Sequence, residues 1–196
     1  MIRKLPLGTD LIVSNLSFKS TKPNIKTTSH NEKVNALGRN VQYYSGTITL
    51  FARNKKAKRK LEAFLEDLNG QAEIFELHIP DMDNSLEQIT GTPSLVTDYA
   101  GGVETIVLDS FTGEISTGDY FKLANDLKVY RALNDAKAGQ QLRISPSLRK
   151  AHRARNIALF SDFNLVVRLE EDNFKMEAQK GNVEVMKVKL KFKEEL

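Results

Sequence analysis

The stretch Met186-Lys187-Val188-Lys189-Leu190-Lys191-Phe192-Lys193 alternates strictly between an apolar residue and a lysine. An alternation with a period of two predicts a β-strand with one buried face and one solvent-exposed face. The same period recurs in residues 41–51 and, more briefly, in residues 75–79. Because a single strand cannot bury its apolar face alone, we expect the last strand to pack with the early strands. Both ends of the chain would then form one platform domain.

Several other short segments also alternate between apolar and polar residues, and most are bounded by Gly, Asn, Asp or Pro. They are residues 11–18, 105–108, 120–123, 129–133, 141–144 and 164–169. Roughly ten strands against few helices predict a mainly β protein.

One principal α-helix is predicted over residues 55–68, where apolar residues recur at helical spacing. Asn54 is placed to cap the N-terminus of this helix, and Gly70 is placed to end it. Basic residues crowd its first half and acidic residues its second half, which opposes the helix dipole. Packing must therefore stabilise the helix, and its basic residues are candidates for a partner or subunit interface. These candidates are Lys55, Lys56, Lys58 and Arg59.

A polar, turn-rich stretch at residues 80–85 indicates a domain boundary. Beyond it the predicted strands are short and separated by glycines, which favours a small β-barrel or sandwich of five or six strands. The chain would return to the first domain near Ala158. We therefore predict a discontinuous platform domain, built as a β-sandwich or as a sheet with a helix, over residues 1–82 and 159–196, with an inserted β-barrel over residues 83–158.

The composition excludes several kinds of chemistry. The chain has no cysteine, so it can form neither a disulfide nor a thiolate metal site. Its three histidines, His30, His78 and His152, are not spaced to share a metal. No serine-nucleophile elbow or glycine-rich phosphate loop occurs, and residues 81–92 lack the glycine and glutamate of a calcium loop. We expect no catalytic residue, no metal and no cofactor.

The charge and hydropathy of the chain limit its partners. The net charge of +4 is too small for a strong nucleic-acid footprint. No apolar run approaches the ~18 residues of a membrane helix, so we expect a soluble protein made in a cytoplasm. The densest basic segment spans residues 149–155, and it could bind an acidic protein partner, bind phosphates, or be a solvated loop. Its candidate interface residues are Arg149, Lys150, Arg153 and Arg155.

A second group of residues is interpreted as defining the fold of the barrel. Gly118 and Asp119 supply a turn that enters a strand, and Pro146 ends another strand because it cannot donate to a ladder. The whole group is Gly118, Asp119, Phe121, Val129, Tyr130, Pro146 and Leu148. We expect these residues to shape the barrel rather than to contact a ligand.

Two stretches resemble the distal tail proteins of long-tailed bacteriophages. Residues 43–50 (Tyr-Tyr-Ser-Gly-Thr-Ile-Thr-Leu), the helix at 61–71 and the strand through Phe75 are similar to the strand, helix and strand of that family's N-terminal domain. The second stretch joins Thr-Gly-Asp-Tyr-Phe-Lys-Leu at 117–123, Lys-Val-Tyr-Arg at 128–131 and Leu-Arg-Ile-Ser-Pro-Ser-Leu-Arg at 142–149. The resemblance is to the type from phages of Gram-negative hosts, which carries an inserted barrel like the oligonucleotide/oligosaccharide-binding (OB) fold.

The resemblance implies a non-enzymatic structural protein of the virion. Family members form a hexameric ring at the tail tip, which joins the tail tube protein to the baseplate hub protein and leaves a channel for DNA. In some phages the ring also anchors side tail fibres. For this chain we therefore expect a homohexamer with those partners, no membrane and no sequence-specific nucleic acid.

Two other functions stay open from the sequence. An OB-type barrel binds nucleic acid with stacked aromatic rings beside a basic groove, and Tyr120, Phe121 and Tyr130 with the basic segment at 149–155 offer such a set. Barrels of this kind also bind carbohydrate on exposed aromatic rings. The chain has no tryptophan, so the carbohydrate-binding tail module ranks last.

Overall fold

The computed structural model describes residues 2–38, 41–82, 85–179 and 185–195. The protein is mainly β, with 47% of its residues in strands, as the sequence predicts. The chain divides into two compact units. The first unit comprises Met1–Thr21, Tyr43–Leu77 and Val166–Leu196, and the second comprises Lys22–Gln42 and His78–Leu165.

Among its described residues, the first unit contains one helix and seven strands. They are α1 (Lys55–Asp67), β1 (Arg3–Lys4), β2 (Leu11–Thr21), β5 (Tyr43–Ala52), β6 (Ile74–Leu77), β13 (Leu165–Leu169), β14 (Lys175–Gln179) and β15 (Val185–Glu194). These strands form one sheet in the order β1-β6-β13-β15-β5-β2, and β14 pairs with β15.

The last strand lies in the middle of this sheet. β15 pairs antiparallel with β5, from Met186 opposite Ala52 to Lys193 opposite Ser45. The apolar residues of its alternation are buried, and Phe192 has no exposed surface. Burial of one face is what a period of two encodes. The expected pairing of the last strand with the early strands is therefore confirmed.

The helix α1 begins where its capping residue predicts. Asn54 Oδ1 accepts a hydrogen bond from the backbone N–H of Ala57 at 2.8 Å, which satisfies one of the free donors of the first turn. Ala57, Leu61 and Leu65 are buried. No acidic residue lies in the first turn and no basic residue in the last, so the charges oppose the dipole as expected.

The second unit contains the remaining strands. They are β3 (Asn24–Thr28), β4 (Val34–Gly38), β7 (Thr90–Leu95), β8 (Thr105–Thr112), β9 (Tyr120–Leu123), β10 (Val129–Ala132), β11 (Gln141–Ser145) and β12 (Ala158–Leu159), with a 3-10 turn at Pro80–Met82. Six of them form a sheet in the order β12-β9-β10-β11-β8-β7. A bridge between Ser94 and Ile157 joins its two end strands, so that the sheet is a nearly closed barrel.

The barrel encloses its own hydrophobic core. Phe121, Tyr130 and Leu142 have no exposed surface, and the ring of Phe121 stacks on that of Phe160 with 5.3 Å between centroids. Short strands separated by glycine turns are typical of such a small barrel. Gly118, for example, has φ of 106°, a conformation that favours glycine.

Strands β3 and β4 form a separate antiparallel hairpin, from Asn24 opposite Gly38 to Thr28 opposite Val34. The sequence did not predict this hairpin, because every residue in both strands is exposed and no alternation marks a buried face. β7 also went unpredicted, since Gly91 and Pro93 interrupt its pattern. Pro93 lies in a register shift at the edge of the sheet, where a missing N–H is tolerated.

The two compact units differ in extent from the predicted domain ranges. Residues 22–42, which were assigned to the platform domain, lie in the same unit as the barrel. The unit boundaries fall after Leu77 and after Leu165, rather than after residue 82 and before residue 159. Part of the predicted boundary at 80–85, residues 83 and 84, lies outside the described residues.

Candidate functional site

The basic segment at 149–155 connects β11 to β12 in the barrel unit. Its centre is fixed by a pair of backbone hydrogen bonds: Tyr99 N donates to His152 O, and His152 N donates to Tyr99 O, each at 2.8 Å. Arg155 N also donates to Leu95 O at 2.7 Å. The backbone of the segment is therefore fixed to the rest of the barrel.

A buried carboxylate lies beneath this segment. Asp126 Oδ2 accepts a hydrogen bond from the Tyr130 hydroxyl at 2.7 Å and lies 3.0 Å from His152 Nε2. Asp126 Oδ1 accepts from the backbone N–H of Lys128 at 3.1 Å. Asp126 is 7% exposed and His152 is 5% exposed, so this cluster sits in the interior rather than at a surface. A carboxylate that is buried in this way needs such partners.

The second nitrogen of His152 decides how its proton is placed. The Asn156 side-chain amide donates to His152 Nδ1 at 3.0 Å, which makes Nδ1 the acceptor. The proton of a neutral ring then lies on Nε2 and is donated to Asp126. These two contacts of the His152 ring tie the loop to the barrel.

Tyr130 connects the same cluster to the start of the basic segment. Its hydroxyl accepts a hydrogen bond from Arg149 N at 3.1 Å while it donates to Asp126. Burial raises the pKa of Tyr130 well above its ordinary value, and the Asp126 carboxylate adds to the increase, although the Arg149 N–H opposes it. The phenol is thus held neutral, and it serves as a structural link.

The basic side chains of the segment fall into two groups. Arg149 Nη2 donates to Gln42 O at 2.8 Å, and Lys150 Nζ donates to Asn125 O. These two residues, predicted as interface residues, hold other parts of the same unit. Arg153 and Arg155 are exposed, so they remain the candidates for contact with a partner. A surface cleft of about 510 Å³ lies beside them, and it is also lined by Ala124 and Asn125.

The other predicted interface residues lie on α1 in the first unit, so the two basic groups belong to different units. Lys55, Lys56 and Arg59 are exposed, whereas Lys58 pairs with Glu62 at 3.8 Å, one helical turn away. An exposed pair of this kind contributes little stability. These three cations, together with Lys60, are exposed on the helix and accessible to a partner.

The residues interpreted as fold-defining lie in the barrel wall and core. Asp119 is 3% exposed, and its carboxylate accepts from Leu86 N and Ser116 N, both at 2.9 Å. Pro146 directly follows β11, and Leu148 is buried. The sequence missed Asp126 and Asn156, because no local pattern marks either residue. The contact between Asp126 and His152 also joins residues that are 26 positions apart.

Two of the three rings proposed for nucleic-acid binding are buried, and the third, Tyr120, is half-buried. Phe121 and Tyr130 are fully buried, and the guanidinium of Arg131 lies over the Tyr120 ring at 5.1 Å from its centroid. Bases stack on exposed rings. These three residues therefore do not form the platform that the nucleic-acid alternative needs.

The part of the chain that the structure describes has neither a metal-binding cluster nor a helix suited to span a membrane. No cluster of three His, Asp or Glu side chains there is placed to hold a metal ion. None of its helices has the length and apolar character required to span a bilayer.

No protein-family model matches this chain, and no curated protein sequence is significantly similar.

Proposed function

We propose that this chain is a structural ring subunit at the tail tip of a long-tailed bacteriophage, similar to the distal tail proteins. In this proposal the protein has no catalytic role. Copies of the chain, six by analogy with that family, surround a channel for DNA and join the tail tube protein to the baseplate hub protein. The ring also offers an attachment point for side tail fibres.

The observation that carries the proposal is the path of the chain. β2 and β5, from the N-terminal part, and β15, from the C-terminal end, lie side by side in one sheet. The middle of the chain builds a separate barrel-like sheet. A platform made from both ends of the chain, with a barrel inserted between them, is the arrangement that the sequence resemblance implies.

The finer description of each unit belongs to the same proposal. We assign the six-stranded barrel-like sheet to the OB type, because it is small, nearly closed and built from short strands with glycine turns. We assign the first unit to the platform, as a sheet with one covering helix. Around the ring, each copy would contact its neighbour head to tail, through two different surfaces. Such heterologous contacts generate a closed ring when the repeated rotation returns to the first copy.

Localisation in the virion tests the proposal directly. Immunogold labelling of phage particles should place the protein at the junction of the tail tube and the tip. Mass measurement of isolated tail tips should find it in several copies per particle. A protein that is absent from virions, or that is present in a single copy per tail, would contradict the proposal.

A nucleic-acid-binding barrel is the second candidate, and the exposed Arg153 and Arg155 beside the cleft favour it. Titration with single-stranded DNA at about 50 and 200 mM salt separates the two candidates, because phosphate contacts lose affinity steeply with salt. Binding at low salt that Arg153→Gln and Arg155→Gln abolish would support this candidate. The absence of binding at low salt would eliminate it.

A further inference from the structure

One face of the sheet in the first unit carries a row of lysine side chains. In β15, Lys187, Lys189 and Lys191 are exposed, and they alternate with buried apolar residues that point to the core. Lys193 continues the alternation, and its Nζ lies over the ring of Tyr43, 4.3 Å from the ring centroid. Because alternate residues of a strand lie roughly 6.6 Å apart on the same face, the four lysines form one continuous row.

The neighbouring strands extend this face without adding an acidic residue. The residues of β5 directly opposite the four lysines are uncharged: Phe51, Thr49, Thr47 and Ser45. The residues of β2 that lie opposite these in turn are Ile12, Asn15, Ser17 and Lys19. Glutamates at such cross-strand positions would pair with the lysines, and the described residues of these three strands offer none. We call this surface of β2, β5 and β15 the lysine face.

Charges from outside these three strands compensate only part of the row. Lys191 Nζ pairs with the Glu171 carboxylate at 2.5 Å. β14 adds one residue of each sign opposite the row, Lys175 and Glu177. The lysine face therefore keeps an excess of positive charge, and an anionic partner would relieve the repulsion between its lysines.

The polar character of the lysine face distinguishes it from a surface that binds a protein. None of the exposed large apolar residues of the described chain lies in β2, β5 or β15. Contact surfaces between proteins have an apolar core and are depleted in lysine. Lysine carries a compact charge on a flexible stem, which contacts a phosphate without a fixed geometry. The lysine face therefore fits a polyanion whose charge repeats along its length.

We infer that the lysine face binds the phosphate backbone of duplex DNA without reading its sequence. Duplex DNA carries one negative charge for about every 1.7 Å of its axis, so it offers phosphates to the whole row at once. Contacts to phosphates alone carry no sequence information, and they allow a protein to slide along the duplex. The inference rests on the proposed function and deepens it, because it names the surface of each ring subunit that faces the DNA in the channel.

Binding of duplex DNA at graded salt tests the inference. Fluorescence anisotropy with two labelled duplexes of unrelated sequence should give equal affinities. The affinity should fall roughly a hundredfold between about 50 and 200 mM salt, as expected for about four phosphate contacts. Poly-glutamate should compete poorly, because its charge density is lower than that of the duplex. No binding at low salt, a strong preference for one duplex, or equal competition by poly-glutamate would overturn the inference.

Matched substitutions locate the binding surface. Lys187→Gln/Lys189→Gln removes two charges from the lysine face, so it should lower the affinity at about 50 mM salt by at least roughly tenfold. The slope of log affinity against log salt should become shallower by about 2. Lys26→Gln/Lys137→Gln is the control, because it removes two exposed lysines of the second unit. Equal losses in the two variants would assign the binding to net charge and overturn the inference.

The basic segment of the barrel provides the contrary outcome. If Arg153→Gln/Arg155→Gln abolishes duplex binding and the lysine-face variant does not, the barrel unit binds the DNA and the inference is wrong. None of these titrations bears on where the protein lies in the virion. Failure of the inference therefore stays distinguishable from failure of the proposed function.

Cross-linking in phage particles tests the position of the lysine face in the channel. A photo-reactive amino acid at position 189 should cross-link to DNA in particles that are arrested during ejection, whereas one at position 137 should not. Cross-links from both positions, or from neither, in particles that carry the protein at the tail tip would overturn the inference and leave the proposed function intact.

Discussion

At the scale of single residues, the buried carboxylate of Asp126 is the most connected group beneath the basic segment. It accepts hydrogen bonds from the Tyr130 hydroxyl and the Lys128 N–H, and it lies 3.0 Å from His152 Nε2. A buried donor that loses its acceptor costs about 1 to 3 kcal/mol. The cluster therefore makes a local contribution to stability that the surface charges of the loop do not.

We predict that Asp126→Ala lowers the free energy of unfolding by about 3 kcal/mol or more, because several buried donors lose one acceptor together. Urea unfolding followed by circular dichroism gives the value. Glu104→Gln, at an exposed carboxylate, is the control and should change stability by less than about 0.5 kcal/mol. Equal effects of the two substitutions would show that the buried cluster is not a source of stability.

Tyr130 gives the protein a dependence on alkaline pH. Its pKa is raised above the ordinary value of 10.0, chiefly by burial, so the folded state disfavours the ionised phenolate. The stability that the neutral phenol contributes is complete below about pH 10 and is lost as the pH rises above it.

We therefore predict that the urea midpoint of the native protein falls between about pH 10 and 11. Tyr130→Phe should be less stable at neutral pH, because Asp126 and the Arg149 N–H lose a partner, and its midpoint should fall less steeply above about pH 10. Parallel pH series of the two proteins make the comparison. Identical alkaline slopes would contradict the assignment to Tyr130.

At the scale of one element, α1 combines a good cap with an unfavourable charge order. Asn54 satisfies a donor at its N-terminus, but Lys55 and Lys56 occupy the first turn, next to the positive end of the dipole. A sequence selected only for stability would have acidic residues there. The exposed lysines fit a surface that meets a partner, as the ring proposal requires.

We predict that Lys55→Glu/Lys56→Glu raises the free energy of unfolding by about 0.5 to 1.5 kcal/mol at low salt, because the charges then favour the dipole. Thermal unfolding at low and at 1 M salt measures the gain and its screening. A gain of equal size at both salt concentrations would exclude an electrostatic cause. If the helix meets an acidic partner, the same variant should incorporate poorly into tails.

At the scale of the whole molecule, two units share one chain, and the first is assembled from three segments. Its sheet depends on β15, which belongs to the last of these segments and lies between β13 and β5. Leu190 is 3% exposed in this strand, while Leu142 has no exposed surface in the barrel core. Each leucine is thus a marker for the core of one unit.

We predict that Leu190→Ala and Leu142→Ala each cost about 2 to 5 kcal/mol, because each leaves a cavity in a packed core. Hydrogen exchange read by mass spectrometry should show faster exchange in the first unit for Leu190→Ala and in the second unit for Leu142→Ala. Uniform acceleration over the entire chain in both variants would instead indicate that the units unfold as one cooperative body.

Much of the architecture could be predicted from local patterns in the sequence. The strand at residues 186–193 and the helix with its Asn54 cap were predicted from the sequence. Burial of one face of a strand or helix makes apolar residues recur at a regular spacing within that element. The hairpin at 24–38 and β7 were not predicted, because one has no buried face and the other has a proline in a register shift. Which of the candidate interface residues are exposed, and which are hydrogen-bonded within the chain, could be learned only from the structure. Arg155 is exposed, whereas Arg149 donates to Gln42 O.

The sequence by itself determined the mainly β character, the one helix, the lack of cysteine chemistry and the position of the basic segment. Only the tertiary structure decided which residues meet across the chain. Asp126 and His152 are far apart in sequence, and so are Lys22 and Ser145, whose side chains form a hydrogen bond of 2.8 Å. The physical reason is that the spacing of apolar residues along a strand or helix records which side chains are buried. Which residue a side chain contacts depends on the path of the backbone between the two residues.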